Sequence, residues 1–235
     1  MSGGVDSSVA ALLLKRHGAR VQGVFMQNWD ALEEDGVCPG ERDWRDVQAV
    51  CRQLDIPCRR IDFVREYWTR VFAQTLDAYA KGITPNPDIA CNREIKFGLL
   101  RERCVPKDHW FATGHYARVA YDARGNARLL KGIDARKDQS YYLSSVTRAQ
   151  LQQSVFPLGH LTKEDIRSIA REHRLTTANK DESMGICFVG PRRKFNAFLG
   201  EYLPQTPGDV IAPNGHVIAT HQGIFSWTIG QRATI

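Results

Sequence analysis

Apolar residues recur at helical spacing in several stretches of the chain, with short β-prone runs between them. Val5, Val9, Leu12 and Leu13 outline a first helix over residues 5–16, with Gly18 as its stop. Residues 19–26 read as a buried strand built on Val21, Val24 and Phe25. Trp44, Val47, Cys51 and Leu54 lie three and four apart and predict a helix over 43–55, followed by a short strand at 57–63. Trp68, Val71, Phe72, Thr75, Leu76 and Tyr79 outline a third helix. Residues 82–92 (GITPNPDIACN) hold two prolines and read as a rigid loop, before a helix at 93–103 and a strand at 110–113. A turn at 122–126 separates 118–121 from 127–131, and residues 162–173 return to helix with Ile166, Ile169 and Ala170 facing inward.

Alternating helices and strands predict an α/β fold with a mostly parallel, Rossmann-like sheet. The pattern changes near Leu203. In GDVIAPNGHVIATH an Asn214-Gly215 turn joins two β-prone runs, so a second, smaller β-rich domain is expected over 204–235, cut off at Ile235. A parallel α/β domain normally leads its first phosphate loop with a strand. Ser2 already opens the loop here, so a first strand is expected to be missing.

The chain has 235 residues, 43% hydrophobic and 25% charged, enough for one full domain and a smaller one. Its longest early apolar run, residues 9–14, is far too short for a bilayer, so a soluble protein without a membrane partner is expected. A net charge of +6, with basic clusters at 59–60, 101–103 and 192–194, is compatible with a polyanionic partner without demanding one. The six cysteines form no CxxC pair and no secretory framework, which favours a reducing compartment and argues against a structural zinc site.

The sharpest local signal is Ser2-Gly3-Gly4-Val5-Asp6-Ser7-Ser8. Its glycines permit close backbone approach, its hydroxyls can donate to phosphate oxygens, and a helix N-terminus follows. Asp6 stands where it could hold Mg²⁺ against phosphate. No Gly-Lys-Ser/Thr triplet follows, so this is no Walker A loop. The plainer reading, a helix start after a small-residue turn, leaves the full septet unexplained. Cys91 and Cys187 sit in loop-like contexts 96 positions apart, whereas Cys51 and Cys58 lie on apolar faces and read as structural. Cys104 ends a charged helix, and Cys38 lies in a polar loop.

SGGVDSS resembles the pyrophosphate loop of the ATP pyrophosphatase superfamily. With GVFMQNW (23–29), TPNPDIACN (84–92), TGHYAR (113–118), KDQSYYL (137–143), GICF (185–188) and THQGIFSWTIGQR (220–232), the chain is similar to the tRNA 2-thiouridylase family along essentially its whole length. The resemblance implies a parallel sheet of the adenine nucleotide alpha hydrolase type over residues 1–203. The start of a central β-rich domain would follow over 204–235, and the C-terminal β-barrel would be absent. It implies an ATP-dependent sulfurtransferase that adenylates the C2 oxygen of a wobble uridine, with ATP and Mg²⁺ as cofactors. ATP would meet Ser2 to Ser8, Met26 and Gly114. Asn86, Pro87 and Asp88 would meet the target base, with Asp88 also catalytic. Lys137, Asp138 and Gln139, with a backbone patch of Arg192, Arg193 and Lys194, would contact tRNA. Cys187 would carry sulfur as a persulfide and Cys91 would act as nucleophile or disulfide partner. The implied partners are tRNA and a sulfur-donor protein, not DNA. NWDALEEDGVC looks more like the mitochondrial branch, so a mitochondrial location is expected, with the cytoplasm of a bacterium as the alternative. Two other readings stay open: a different ATP-pyrophosphatase ligase or amidating enzyme, and an inactive tRNA-binding fragment.

Overall fold

The computed structural model describes residues 1–29, 39–182 and 195–232. Helix α1 (Val5–Arg16) leads to strand β1 (Gly23–Gln27), helix α2 (Pro39–Gln53) and strand β2 (Cys58–Asp62). β1 and β2 pair in parallel from Gly23↔Cys58 to Gln27↔Asp62, with α2 as the crossover. A second parallel pair joins β3 (Phe111–Ala112) to β6 (Ser154–Val155). Parallel pairing therefore follows the expectation, in two separate two-stranded pieces among the described residues.

α1 is apolar on more than one face because it is packed on both sides. Val5, Val9 and Leu12 meet Ile166 and Ala170 of α8 (Lys163–Glu172), while Ala11 joins Phe25, Val47 and Cys51 on the other flank. The single predicted stripe is thus too narrow, and Leu13 is only partly buried. Gly18 adopts φ +80 and stops the helix as expected. α8 starts at the Thr162 N-cap, whose hydroxyl and the Asp165 carboxylate form a reciprocal capping box.

The third helix begins earlier than its apolar spacing suggests. α3 (Val64–Tyr67) continues through a π-wound turn (Trp68–Phe72) into α4 (Ala73–Ala80). Tyr67, Val71, Phe72 and Tyr79 are buried in the largest core, whereas Trp68 stays on the rim, stacked on Trp29 at 5.6 Å. The predicted rigid loop at 82–92 is only partly a loop. Residues 87–91 form a helix, α5 (Pro87–Cys91), which runs on through a π-wound stretch (Asn92–Leu100) into α6 (Arg101–Cys104). Its start has a local cause. Pro87 occupies the first turn, where no N–H is needed, and Asn86 accepts hydrogen bonds from the Asp88 and Ile89 amides at 3.0 and 3.3 Å.

The two predicted turns form hairpins. β4 (Ala117–Tyr121) and β5 (Ala127–Lys131) pair antiparallel around a turn held by the Asp122 carboxylate, with Gly125 at φ +74. Between β5 and β6 lie a short 3₁₀ turn (Tyr141–Leu143) and α7 (Arg148–Leu151). After α9 (Phe195–Leu199), β7 (Gly208–Ile211) and β8 (Val217–His221) pair antiparallel across a turn with Gly215 at φ +86.

Candidate nucleotide and thiol site

Residues 1–4 approach β1, with the Met1 amino nitrogen donating to Val24 O at 2.7 Å, and the chain then turns into α1. The turn needs glycine at position 3. Gly3 has φ +77, and a Cβ there would lie 2.7 Å from the Asp43 carbonyl oxygen and 2.9 Å from its Cα. The next glycine, Gly4, is the N-cap of α1 and supplies no side-chain acceptor. The amides of the first turn therefore keep their capacity for an anion, and the helix dipole favours one. The Ser7 and Ser8 hydroxyls fold back onto Gly4 O at 3.1 and 2.9 Å, and Ser2 contacts Ser7 Oγ through its amide and hydroxyl. Ser8 is fully buried and also accepts from Thr177 Oγ1, so it braces the loop from behind, as the buried Val5 does. Gly114 closes the other wall. A Cβ on it would meet Ser7 N at 3.1 Å and Asp6 C at 3.2 Å. A cradle that excludes side chains and leaves helix amides uncapped fits a nucleotide polyphosphate.

Asp6 does not face open space as a magnesium contact would. Its carboxylate accepts from the Tyr116 hydroxyl at 2.7 Å and from Lys163 Nζ at 2.8 and 2.9 Å. Lys163 also pairs with Glu182 at 3.2 Å, and Glu182 with Lys137 at 2.7 Å. Hydrogen bonds and charge from these two lysines hold the Glu182 carboxyl below its ordinary range, while burial and then Asp6 push the Tyr116 phenol up. Among the described residues no group of three or more acidic, histidine or cysteine side chains could hold a metal. The residues around Asp6 do not fit a protein-built Mg²⁺ site.

Cys91 closes α5 where it continues into the π-wound stretch and is 3% exposed, within a helical run and not in the loop context expected for it. The Asn28 side-chain amide, arriving from beyond β1, donates to its sulfur at 3.9 Å. Asp88, one turn earlier on the same helix, is desolvated, which raises its carboxyl above the ordinary aspartate value against the pull of Lys96. His115, next to Gly114, is buried and hydrogen-bonded to Thr113 Oγ1 at 2.8 Å. Burial, then the charge of Lys96, holds its imidazole well below the ordinary value and so neutral. The Gly114–His115 segment thus meets the loop at Ser7 and, through His115, lies 6.0 Å from the Phe97 ring on the helical run that continues from Cys91. Met26 lies on β1, partly buried against the main core.

The expected RNA-contacting residues divide. Lys137 is part-exposed and paired with Glu182. Asp138 is occupied in building its own loop, accepting from Gly132 N and from the Ser140 amide and hydroxyl. Gln139 turns inward, its side-chain oxygen accepting from Tyr116 N at 3.1 Å. Asn86 is spent as the cap of α5, with Pro87 buried beside it. Cys187, Arg192, Arg193, Lys194 and Cys38 lie outside the described residues. The remaining cysteines behave as packing groups: burial, then Cys58, pushes the Cys51 thiol up to about 12, and burial also raises Cys104.

Residues 1–191 match the family described as tRNA methyl transferase HUP domain, and residues 196–235 match tRNA methyl transferase PRC-barrel domain. The tRNA-specific 2-thiouridylase MnmA of Staphylococcus carnosus is 50% identical over 233 residues, covering 99% of this chain and 63% of that protein. Those of Oceanobacillus iheyensis and Alkaliphilus oremlandii are each 49% identical, with 62% and 64% of their length covered. The chain belongs to the MnmA family. It spans about 63% of the length of these curated MnmA relatives. The relatives are bacterial, which corrects the mitochondrial reading drawn from residues 28–38: identity sustained across 233 residues outweighs likeness in one short stretch, most of it outside the described residues. No helix among the described residues is long and apolar enough to cross a membrane.

Several residues of this MnmA-family site escaped the sequence reading. Lys163 and Tyr116 stand 157 and 110 positions from Asp6, Asn28 stands 63 from Cys91, and no local pattern joins them. Lys96 lies five residues beyond Cys91, but the expectation of a loop over residues 82–92 puts the two in different elements.

Proposed function

We propose that this chain carries the nucleotide-binding and sulfur-transfer centre of an ATP-dependent tRNA-uridine 2-sulfurtransferase. The observation that carries the reading is an uncapped, glycine-lined helix start walled by Gly114, whose neighbour His115 packs on Phe97 of the helical run that begins with Asp88 and Cys91. A polyphosphate cradle next to a buried thiol is what activation followed by sulfur exchange requires.

In this reading the loop amides and the Ser2 and Ser7 hydroxyls hold the phosphates of ATP, and Met26 lines the adenine side. The C2 oxygen of the wobble uridine takes the adenylyl group and pyrophosphate leaves. Asp88, desolvated beside Cys91, orients the base or moves its proton. The terminal sulfur of a persulfide on Cys187 then bonds to C2, and AMP departs with the former C2 oxygen. The Cys91 thiolate attacks Cys187 Sγ, breaking the sulfur–sulfur bond and returning its electron pair to the sulfur on C2 as the thiocarbonyl. The resulting Cys91–Cys187 disulfide is reset by an external dithiol, and a persulfide-bearing donor protein reloads Cys187. A wobble base sits in a single-stranded loop, so turning it out to expose C2 costs less than in a duplex.

The test incubates the chain with ATP, Mg²⁺, a persulfide-bearing donor, a dithiol and unmodified tRNA, following pyrophosphate and 2-thiouridine. Pyrophosphate release that depends on tRNA, with Cys187→Ser abolishing thiouridine but not pyrophosphate, is the expected result. Binding of tRNA with no pyrophosphate release would reject the reading in favour of an RNA-binding role. Release with an acceptor other than uridine would reject it in favour of a ligase.

A further inference from the structure

The polar surroundings of Cys91 are arranged for a negative sulfur. Asn28 is 8% exposed, comes from a different element, and aims its side-chain amide at Cys91 Sγ at 3.9 Å while its own Oδ1 has no partner among the described residues. A buried carboxamide oxygen left unsatisfied is costly. The orientation that incurs this cost is the one that turns the donor toward the sulfur. Asn92, next along the helix, repeats the pattern: Nδ2 donates to Tyr142 O at 2.9 Å and its buried Oδ1 is unsatisfied.

Lys96 completes the arrangement. The stretch Asn92–Leu100 winds with i→i+5 hydrogen bonding, so a residue five positions on stands just past one full turn, rotated to one side. Lys96 is therefore about one turn above Cys91, as Asp88 is about one turn below it. Lys96 is half-buried, and its charge is felt by Asp88, by His115 and by the Met1 amino group, which belong to three different segments. Its charge therefore acts on both the Cys91 helix and the Gly114–His115 segment. No carboxylate of the described residues forms an ion pair with it. The titratable groups around it are Asp88, which opposes a thiolate when ionised, His115, which burial keeps neutral, and the Met1 amine. Arg93 on the same helical run is exposed and paired with Glu94 at 2.7 Å, whereas Lys96 is half-buried.

We propose that Asn28 and Lys96 are positioning residues that hold the Cys91 sulfur as a thiolate, Asn28 by donating a hydrogen bond to Sγ and Lys96 by supplying positive charge. The proposal rests on the reading of Cys91 as the nucleophile that releases sulfur, and it assigns the means of its activation.

The test is the pH dependence of Cys91 alkylation by iodoacetamide, followed by mass spectrometry of the Cys91 peptide in wild type, Lys96→Met, Lys96→Arg and Asn28→Ala. The expected midpoint for wild type is below the ordinary thiol value of about 8.5. Lys96→Met should raise it by about one unit and slow alkylation at pH 7 about tenfold, Lys96→Arg should restore it, and Asn28→Ala should slow it about threefold. A midpoint unmoved in both Lys96→Met and Asn28→Ala overturns the proposal. A changed plateau rate with an unmoved midpoint reports only access to a buried sulfur and overturns it equally. Alkylation needs neither ATP nor tRNA. Shifted midpoints in a protein without thiouridylase activity would therefore reject the functional reading and leave the Asn28–Lys96 pair standing.

Discussion

Replacing Gly3 by alanine separates the two physical demands made on the phosphate loop. Gly3 sits at φ +77, where an L-residue costs about 1–2 kcal/mol. Its Cβ would also lie 2.7 Å from the Asp43 carbonyl oxygen and 2.9 Å from Asp43 Cα, backbone atoms that move only with α2. Forcing that contact apart adds about 1–3 kcal/mol, the usual cost of overpacking. Gly125 supplies the control, because it has φ +74 and nothing within 4 Å of its Cβ position. Gly3→Ala should therefore destabilise the fold by about 2–5 kcal/mol and Gly125→Ala by only about 1–2 kcal/mol. In urea unfolding with a slope of about 2–3 kcal/mol/M, the gap of about 1–3 kcal/mol appears as a midpoint about 0.3–1.5 M lower for Gly3→Ala than for Gly125→Ala. Nucleotide binding should weaken in Gly3→Ala alone, because the displaced loop re-aims the amides. Equal midpoint shifts in the two variants would refute the steric argument. Unchanged nucleotide affinity in a folded Gly3→Ala protein would refute the assignment of the loop.

Lys163→Met leaves Asp6 with the Tyr116 hydroxyl alone and Glu182 with Lys137 alone. The lysine side chain is 14% exposed but both carboxylates are about one-third exposed, so solvent screening reduces the cost of breaking the pairs to about 1–3 kcal/mol. Thermal unfolding should recover part of that loss in Asp6→Asn/Lys163→Met, and strict additivity would show the pair is uncoupled. His115 predicts a pH dependence of definite sign. Its folded-state value is depressed, so below pH ~6.5 the unfolded chain binds a proton that the folded chain refuses. Stability should then fall by up to ~1.4 kcal/mol per pH unit from this residue as pH drops toward the folded-state value. His115→Gln should flatten the profile between pH 6.5 and 5, and an identical slope in the variant would remove His115 as its source.

What was readable along the chain is what a few neighbouring residues decide together. The SGGVDSS loop, the Gly18 stop and the turns at 122–126 and Asn214-Gly215 depend on φ preferences and side-chain caps acting over fewer than ten positions. The start of α5 was local too, an Asn cap before a first-turn proline, but the two prolines of residues 84–92 concealed it. The mitochondrial expectation failed because it leaned on one short stretch of that same local kind. Periodicity told which face of α1 is apolar but not that a second layer covers its opposite flank. It was equally silent on the π winding that follows Cys91. Nor could spacing show that Asp6 is filled by Lys163, that Asn28 meets Cys91, or that Gln139 turns inward onto Tyr116. Those contacts belong to the tertiary structure alone. Whether two side chains touch across 63 or 157 residues depends on the path of all the chain between them, and no local energy term carries that information.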